Sequence, residues 1–390
     1  MSEKKIAVMY GAGSIGRGFI GQLFSLSQYE VVFIDVNSAV VDKLNQEKGY
    51  VLELVTAEKT KKTFISPVRA VNGLDQNAVA CEIAQAEIMA TAVGVNILPK
   101  IAENIAAGIR LRMEQGKGPL NIIICENLIN ADEYLKELIE RYLSEPEQAY
   151  FHENIGLLEA SVGRMVPLLS REQVEKDPTR VVAEPYDKLP VKSDFIKGEL
   201  PKIEGVIPFS PFEFYIERKL FVHNMAHAVC AYMGAEKGYE YINKAIQDEE
   251  IRAVVAGAMR EIAKALSAKY GISEKELTDF TDDLLVRFAN PVLMDTVARV
   301  GRDVVRKLKR NDRLVGAALC CLASGVEPDN IIRGILAAIA YRNDEDETTL
   351  EISKEFHANG LAGVLKKYCG LTEGDPLYTR LMREVQNGKL

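Results

Sequence analysis

Short apolar runs alternate with helix-length polar stretches through the first third of the chain. Ile6-Ala7-Val8-Met9-Tyr10 and Glu30-Val31-Val32-Phe33-Ile34 read as buried strands, and the pattern predicts strands over 6–10, 31–35, 51–55, 87–93 and 120–125. Between the first two, Ile15, Phe19, Leu23 and Phe24 recur at helical spacing. Strands separated by helices imply a parallel, doubly wound sheet, with ligands bound beyond the C-terminal strand ends. Six prolines fall between Pro178 and Pro211, which marks a surface connection, partly strand-like, over about 178–210. Past Pro211 the signal is helical, clearest over 251–270 and 330–341. The expected fold is α/β: an N-terminal Rossmann-type domain over 1–200, then an all-α domain over 201–390.

The first strand runs into Gly11-Ala12-Gly13-Ser14-Ile15-Gly16, and the second ends on Asp35, nineteen residues past Gly16. Strand, glycine turn, helix, strand and acid, in that order, fit a dinucleotide site. Gly11 permits the tight turn, Gly13 lets a pyrophosphate approach the backbone, and Gly16 lets the helix pack close. The free N–H groups at the helix start favour phosphate. Asp35 suits the adenosine ribose hydroxyls and repels a 2′-phosphate, which points to NAD over NADP. Thr91, Ala92 and Val93, at the end of the fourth strand, are expected beside the nicotinamide. The bland alternative is a glycine turn that binds nothing, or another nucleotide.

Composition adds bounds. Apolar residues make up 47% of the 390 and charged residues 27%, an ordinary globular balance. The net charge of −8 speaks against nucleic acid as a partner. With no leader-like or membrane-spanning run, the expected compartment is the cytoplasm. Cys81, Cys125, Cys230, Cys320, Cys321 and Cys369 lack metal-site spacing and read as small buried hydrophobes. Oligomeric state is left open.

Ser210-Pro211-Phe212-Glu213 has the form of a capping box with proline at the first helical position, opening a helix that runs to Met233 before Gly234. Lys219, Asn224 and His227 sit on it at about 0°, 140° and 80° on a wheel of 100° per residue. A lysine among apolar neighbours is desolvated, which lowers its pKa and suits it to take a proton from an alcohol. Asn224 would donate to a developing oxyanion, and His227 would orient the lysine or substrate. Equally, Lys219 snorkels to solvent and His227 is a core histidine. His223 and His227 also have the i, i+4 spacing of a zinc protease helix, but Asn224 stands where that motif needs glutamate. No metal is expected.

The glycine turn and this helix together resemble the polyol-specific long-chain dehydrogenases. The matching stretches are Gly11 to Gly21, Pro119-Leu120-Asn121-Ile122-Ile123 with Cys125-Glu126-Asn127, Glu217-Arg218-Lys219-Leu220-Phe221, and Arg299-Val300-Gly301-Arg302. Lys219, Asn224 and His227 match the family signature Lys-x4-Asn-x2-His. The resemblance implies a metal-independent reaction with Lys219 as acid/base, Asn127 and Asn224 as the oxyanion pair, and His227 at the substrate. It implies substrate contacts from Arg299 and Lys307, and oxidation of D-mannitol 1-phosphate by NAD to D-fructose 6-phosphate. A hexuronate, an unphosphorylated polyol, or a non-catalytic NAD-binding regulator are the alternatives. Arg299, Arg302, Arg306, Lys307, Lys309 and Arg310 form a basic cluster suited to a sugar phosphate. Two positions depart from the family: Ala226 stands for glycine before the histidine, and Gly163 for aspartate before Arg164.

Overall fold

The computed structural model describes residues 5–167 and 169–386; residues 1–4, part of the stretch read for a leader, lie outside them. Contacts divide the chain into two units, one ending at Glu213 and one beginning at Phe214.

In the first unit, β1 (Ile6–Tyr10), β2 (Glu30–Asp35), β5 (Val68–Asn72), β6 (Ile88–Thr91), β7 (Leu120–Ile124) and β8 (Ile155–Glu159) form one sheet in the order β5-β2-β1-β6-β7-β8. Every pairing in it is parallel. This is the strand order of the dinucleotide-binding fold, with its switch point between β1 and β6. Unbroken apolar strands are what a sheet covered on both faces requires. Met9 and Phe33 join the core on one face, and Val8 and Ile34 the core on the other. The register aligns Tyr10, Thr91 and Ile124, so the residues after β1, β6 and β7 emerge side by side.

The strand expected over 51–55 forms, but outside this sheet. β3 (Tyr50–Val55) pairs antiparallel with β4 (Thr60–Ile65) and parallel with β9 (Val181–Ala183). β4 and β5 carry Lys61, Lys62 and Arg69, so apolar runs do not reveal them. The apolar run of β8 is broken by Gly156, where a Cβ would lie 2.1 Å from Asn121 Oδ1. The proline-rich stretch is not a surface wrap. It contains β9, β10 (Leu189–Lys192) and β11 (Val206–Phe209), and Val181, Ala183, Leu189, Val191 and Ile203 are packed into the first unit's core. Because β11 pairs with β10, the division falls at 213/214 rather than 200/201.

The second unit is helical. Among its described residues the extended pairing is the single bridge between Tyr241 and Thr296. The helix Glu249–Tyr270 starts where Asp248 accepts the N–H groups of Glu250 and Ile251. It stops at Gly271, whose φ of 68° favours glycine. The helices Met225–Glu236 and Asp329–Ala340 approach closely at Gly334, where a Cβ would meet Val229 Cγ2 at 2.4 Å. Among the described residues no helix is long and apolar enough to cross a membrane. Cys125, Cys230, Cys321 and Cys369 are buried as expected, but Cys81 is exposed.

Candidate active site

The glycine turn has the geometry a pyrophosphate needs. Gly11 has φ 102°, and a Cβ there would lie 2.5 Å from Ala92 O. A Cβ on Gly16 would lie 2.0 Å from Gly11 O, so only glycine lets the helix start pack against the turn. Gly13 faces open space, with no described residue beyond its chain neighbours within 4 Å of its missing Cβ. Gly13 and Ser14 are exposed and Ile15 is half-buried, while Ala12 is buried. Asp35 does more than await a ribose. Its Oδ2 accepts the Ala12 N–H at 2.7 Å and its Oδ1 the Asn37 N–H at 2.9 Å, fixing the turn to the end of β2. Dinucleotide chemistry fits this donor set: an open backbone, a helix start and a carboxylate.

Beside the turn, Thr91 closes β6 with its side chain fully buried and its Oγ1 without a hydrogen-bond partner among the described residues. Its side chain therefore faces the interior, while Ala92 and Val93 are half-exposed. Asn127 is exposed just past β7. Glu126, overlooked as a functional residue, is buried, and its carboxylate accepts the N–H groups of Val93 and Gly94. Its signal was available: a charged residue just past the mostly apolar strand β7.

The helix of the second unit begins at Glu213, not at Pro211. The Ser210 hydroxyl donates to Asp194 at 2.9 Å. Gly234 does not end the helix either. It is buried inside it, close to Ala245, and the helix continues to Glu236. The larger difference is internal. Residues Arg218–Asn224 form a π-helical segment, closed by the Met225 N–H reaching back to Leu220 O. The wider turn brings positions five apart, such as Lys219 and Asn224, nearer to one face than the about 140° of a regular helix. Lys219, Leu220, Asn224 and His227 are half-buried, while Phe221, Val222, His223, Met225, Ala226 and Ala228 are buried.

His227 stacks on Phe288 with ring centroids 4.8 Å apart, and its Nε2 lies 3.4 Å from Asp295 Oδ2, a contact without hydrogen-bond geometry. Burial pushes its pKa down to about 4 against the pull of Asp295. Burial holds His223 well below the usual range too, with Arg287, His227 and Lys219 disfavouring its protonation further. Both imidazoles are neutral at pH 7, so no added cation competes with Lys219. Among the described residues no three His, Cys, Asp or Glu side chains form a metal-holding group.

Asp295 also pairs with Arg299, linking it to His227. The i, i+4 spacing of Asp295 and Arg299 was its sequence signal. Arg299 is exposed, whereas Lys307 is buried. Lys307 is 5% exposed and donates to Val300 O at 2.6 Å and to Arg302 O. It ties the Arg299–Arg302 segment from beneath, and burial pushes its pKa down to about 7. Within the basic cluster, Arg306 pairs with Asp303 and Asp312, and Arg310 with Asp375. Arg302 and Lys309 are exposed. At Gly163 a Cβ would lie 3.1 Å from the Tyr186 ring, so an aspartate there would press on that ring.

Comparison with known proteins places both units. Residues 5–205 match the mannitol dehydrogenase Rossmann domain, and residues 212–366 the mannitol dehydrogenase C-terminal domain. A Brevibacillus brevis protein named mannitol-1-phosphate 5-dehydrogenase is 42% identical over 372 residues, 95% of each chain. A Bacillus licheniformis protein of the same name is 40% identical over 98% of this chain and 100% of its own. Among solved structures, a substrate-free D-sorbitol dehydrogenase superposes with TM-score 0.82 at 16% identity, covering 99% of this chain and 94% of that one. Pseudomonas fluorescens mannitol 2-dehydrogenase, in a ternary complex with NAD and D-mannitol, gives 0.71 at 16% identity over 100% and 93%. At such identity the structural likeness speaks to the fold.

Proposed function

The chain belongs to the mannitol dehydrogenase family, and from that premise we propose that it oxidises D-mannitol 1-phosphate reversibly to D-fructose 6-phosphate with NAD. The observation that carries this reading is the 42% identity, over 95% of both chains, to a relative named for that reaction.

When bound, NAD supplies the hydride acceptor. The glycine turn offers its exposed backbone at Gly13 and Ser14 to the pyrophosphate, with Gly11, Ala12, Ile15 and Gly16 shaping the turn. Asp35 keeps lone pairs for the ribose hydroxyls, and its carboxylate disfavours a 2′-phosphate. Lys219 Nζ takes the proton of the C5 hydroxyl in oxidation and returns it in reduction. Asn224, brought nearer the face of Lys219 by the wide helical turn, donates its amide N–H to the C5 oxygen as negative charge develops. The family resemblance gives Asn127 the same task. His227, neutral and held against Phe288, orients the substrate without adding charge. Arg299 contacts the polyol, and Lys307 acts on it indirectly by holding the Arg299–Arg302 backbone. Arg302 and Lys309 are the cations of the cluster proposed for the sugar phosphate.

The test follows NADH absorbance with fructose 6-phosphate, fructose and tagaturonate in parallel. Turnover on fructose 6-phosphate alone supports the proposal, and preference for either of the others replaces it with the matching alternative. Lys219→Ala should abolish turnover while NADH still binds. Near-normal turnover in that variant would remove Lys219 from its role.

A further inference from the structure

Glu126 carries a carboxylate with 7% of its surface exposed, and both of its oxygens are committed to backbone. Oε1 accepts the Val93 N–H at 2.9 Å and Oε2 the Gly94 N–H at 2.8 Å. The two donors are consecutive residues of the loop after β6, and Gly94 has φ 92°, a conformation that favours glycine. Adjacent N–H groups turned to one side make a small anion-binding concavity. A group with two equivalent acceptor oxygens fits it. A carboxamide does not, since its NH2 would face one of the N–H donors.

The clamped loop is part of a larger contact of strand ends. The Ala92 N–H donates to Tyr10 O at 2.9 Å, and the Cys125 N–H donates to Thr91 O at 2.9 Å. Gly11 lies so close to Ala92 O and Val93 Cγ1 that a Cβ there would reach them at 2.5 and 3.2 Å. The glycine turn, the loop after β6 and the end of β7 are thus one packed layer, with the Glu126 carboxylate crossing it. The residue after Glu126 is Asn127.

We propose that Glu126 is a positioning residue: its two-oxygen hold on Val93 and Gly94 joins the nicotinamide-side loop and Asn127 into one rigid piece. The hydride acceptor and the oxyanion donor are then set by the same bonds. This rests on the dehydrogenase reading above, through the roles given there to Asn127 and to the loop.

The experiment compares Glu126→Gln and Glu126→Asp with the parent protein, with and without Asn127→Ala. Glu126→Gln should lower kcat by about 10-fold to 100-fold, the scale of small misplacements at a reacting centre, with KM and NADH affinity within about 3-fold. In the Asn127→Ala background the same change should cost less than about 2-fold, because the group it orients is gone. Glu126→Asp, one methylene shorter but still charged, should fall between parent and glutamine. Fully multiplicative losses in the double variant, or a kcat loss tracked by lost NADH affinity, would overturn the proposal. Amide hydrogen exchange at Val93 and Gly94 reads the clamp without turnover, and protection should drop in Glu126→Gln. Unchanged exchange overturns the clamp even in an active protein. Changed exchange in a parent protein inactive on all three carbonyl substrates overturns the dehydrogenase reading instead, and the positioning role with it.

Discussion

Glu159→Gln should stabilise the protein by an amount that grows with pH. Glu159 ends β8 with 4% of its surface exposed. Its pKa is pushed up to about 7, first by burial and next by the Asp132 carboxylate, with Glu133 adding to the push. Lys192 and the Asn130 N–H pull the other way. Lys192, however, is already engaged: its ammonium donates to Asp132 Oδ2 at 2.8 Å. Two buried carboxylates share one cation, and Glu159 is the one that stays protonated.

The sign follows from linkage. The folded pKa lies above the ordinary 4.5, so between about 4.5 and 7 the folded state holds a proton that the unfolded chain has lost. Stability therefore falls as pH rises through that window. At about 1.4 kcal/mol per pH unit, the gap sets a ceiling of about 3.4 kcal/mol above pH 8. Glutamine stands in for the protonated acid and does not titrate. The variant should match the parent within about 0.5 kcal/mol at pH 4.5 and exceed it by about 2–3 kcal/mol at pH 8. The chain has no tryptophan, so urea unfolding is followed by far-UV circular dichroism, with both proteins at each pH. The pH-matched difference cancels the other titrating groups, and equal m-values guard the comparison in a two-unit chain. A difference that stays flat from pH 4.5 to 8, or a variant that loses ground as pH rises, would refute the argument.

Three further outcomes are expected. Lys307 has the opposite sign: its folded pKa of about 7 lies below the ordinary 10.5, so its contribution to stability should rise with pH between those values. Lys307→Met should flatten that rise in the same unfolding assay. Gly16→Ala places a Cβ 2.0 Å from Gly11 O, a backbone atom that cannot rotate away. It should cost about 2–4 kcal/mol in thermal or urea unfolding and weaken NADH binding, since the turn must open to admit it. Asp35→Asn replaces the acceptor of the Ala12 N–H and removes the charge facing a 2′-phosphate. The ratio of kcat/KM for NAD over NADP should fall about 10-fold or more, and an unchanged ratio would take cofactor selection away from Asp35.

How far the sequence reveals this molecule depends on which hydrogen bonds decide each feature. The central strands are legible because burial on both faces demands unbroken apolar runs, and the glycine turn because three glycines and an acid answer separate steric needs. Polar strands such as β4 and β5 escape, since their partners and not their own residues make them strands. Helical periodicity fails where the active helix widens. A wheel of 100° per residue separates Lys219 from Asn224, whereas the bond from the Met225 N–H to Leu220 O widens the turn and brings residues five apart nearer to one face. No apolar period announces that choice. It is consistent with tertiary packing: Phe221 against the bare backbone of Gly316, and Arg218 with its guanidinium 4.5 Å from the Tyr215 ring centroid and 4.2 Å from that of Phe280. The first unit repeats the device. Gly16–Ile20 is also π-helical, with the Gly21 N–H reaching Gly16 O. There the Tyr50 hydroxyl donates to Arg17 O at 2.7 Å and Arg164 to Gly18 O at 2.8 Å. A wide turn gives up regular helix geometry and persists only where side chains and packing stabilise it. Here it occurs in the helix that opens on the glycine turn and in the helix that carries Lys219, and in the second it narrows the angle between two positions that regular helical spacing keeps about 140° apart.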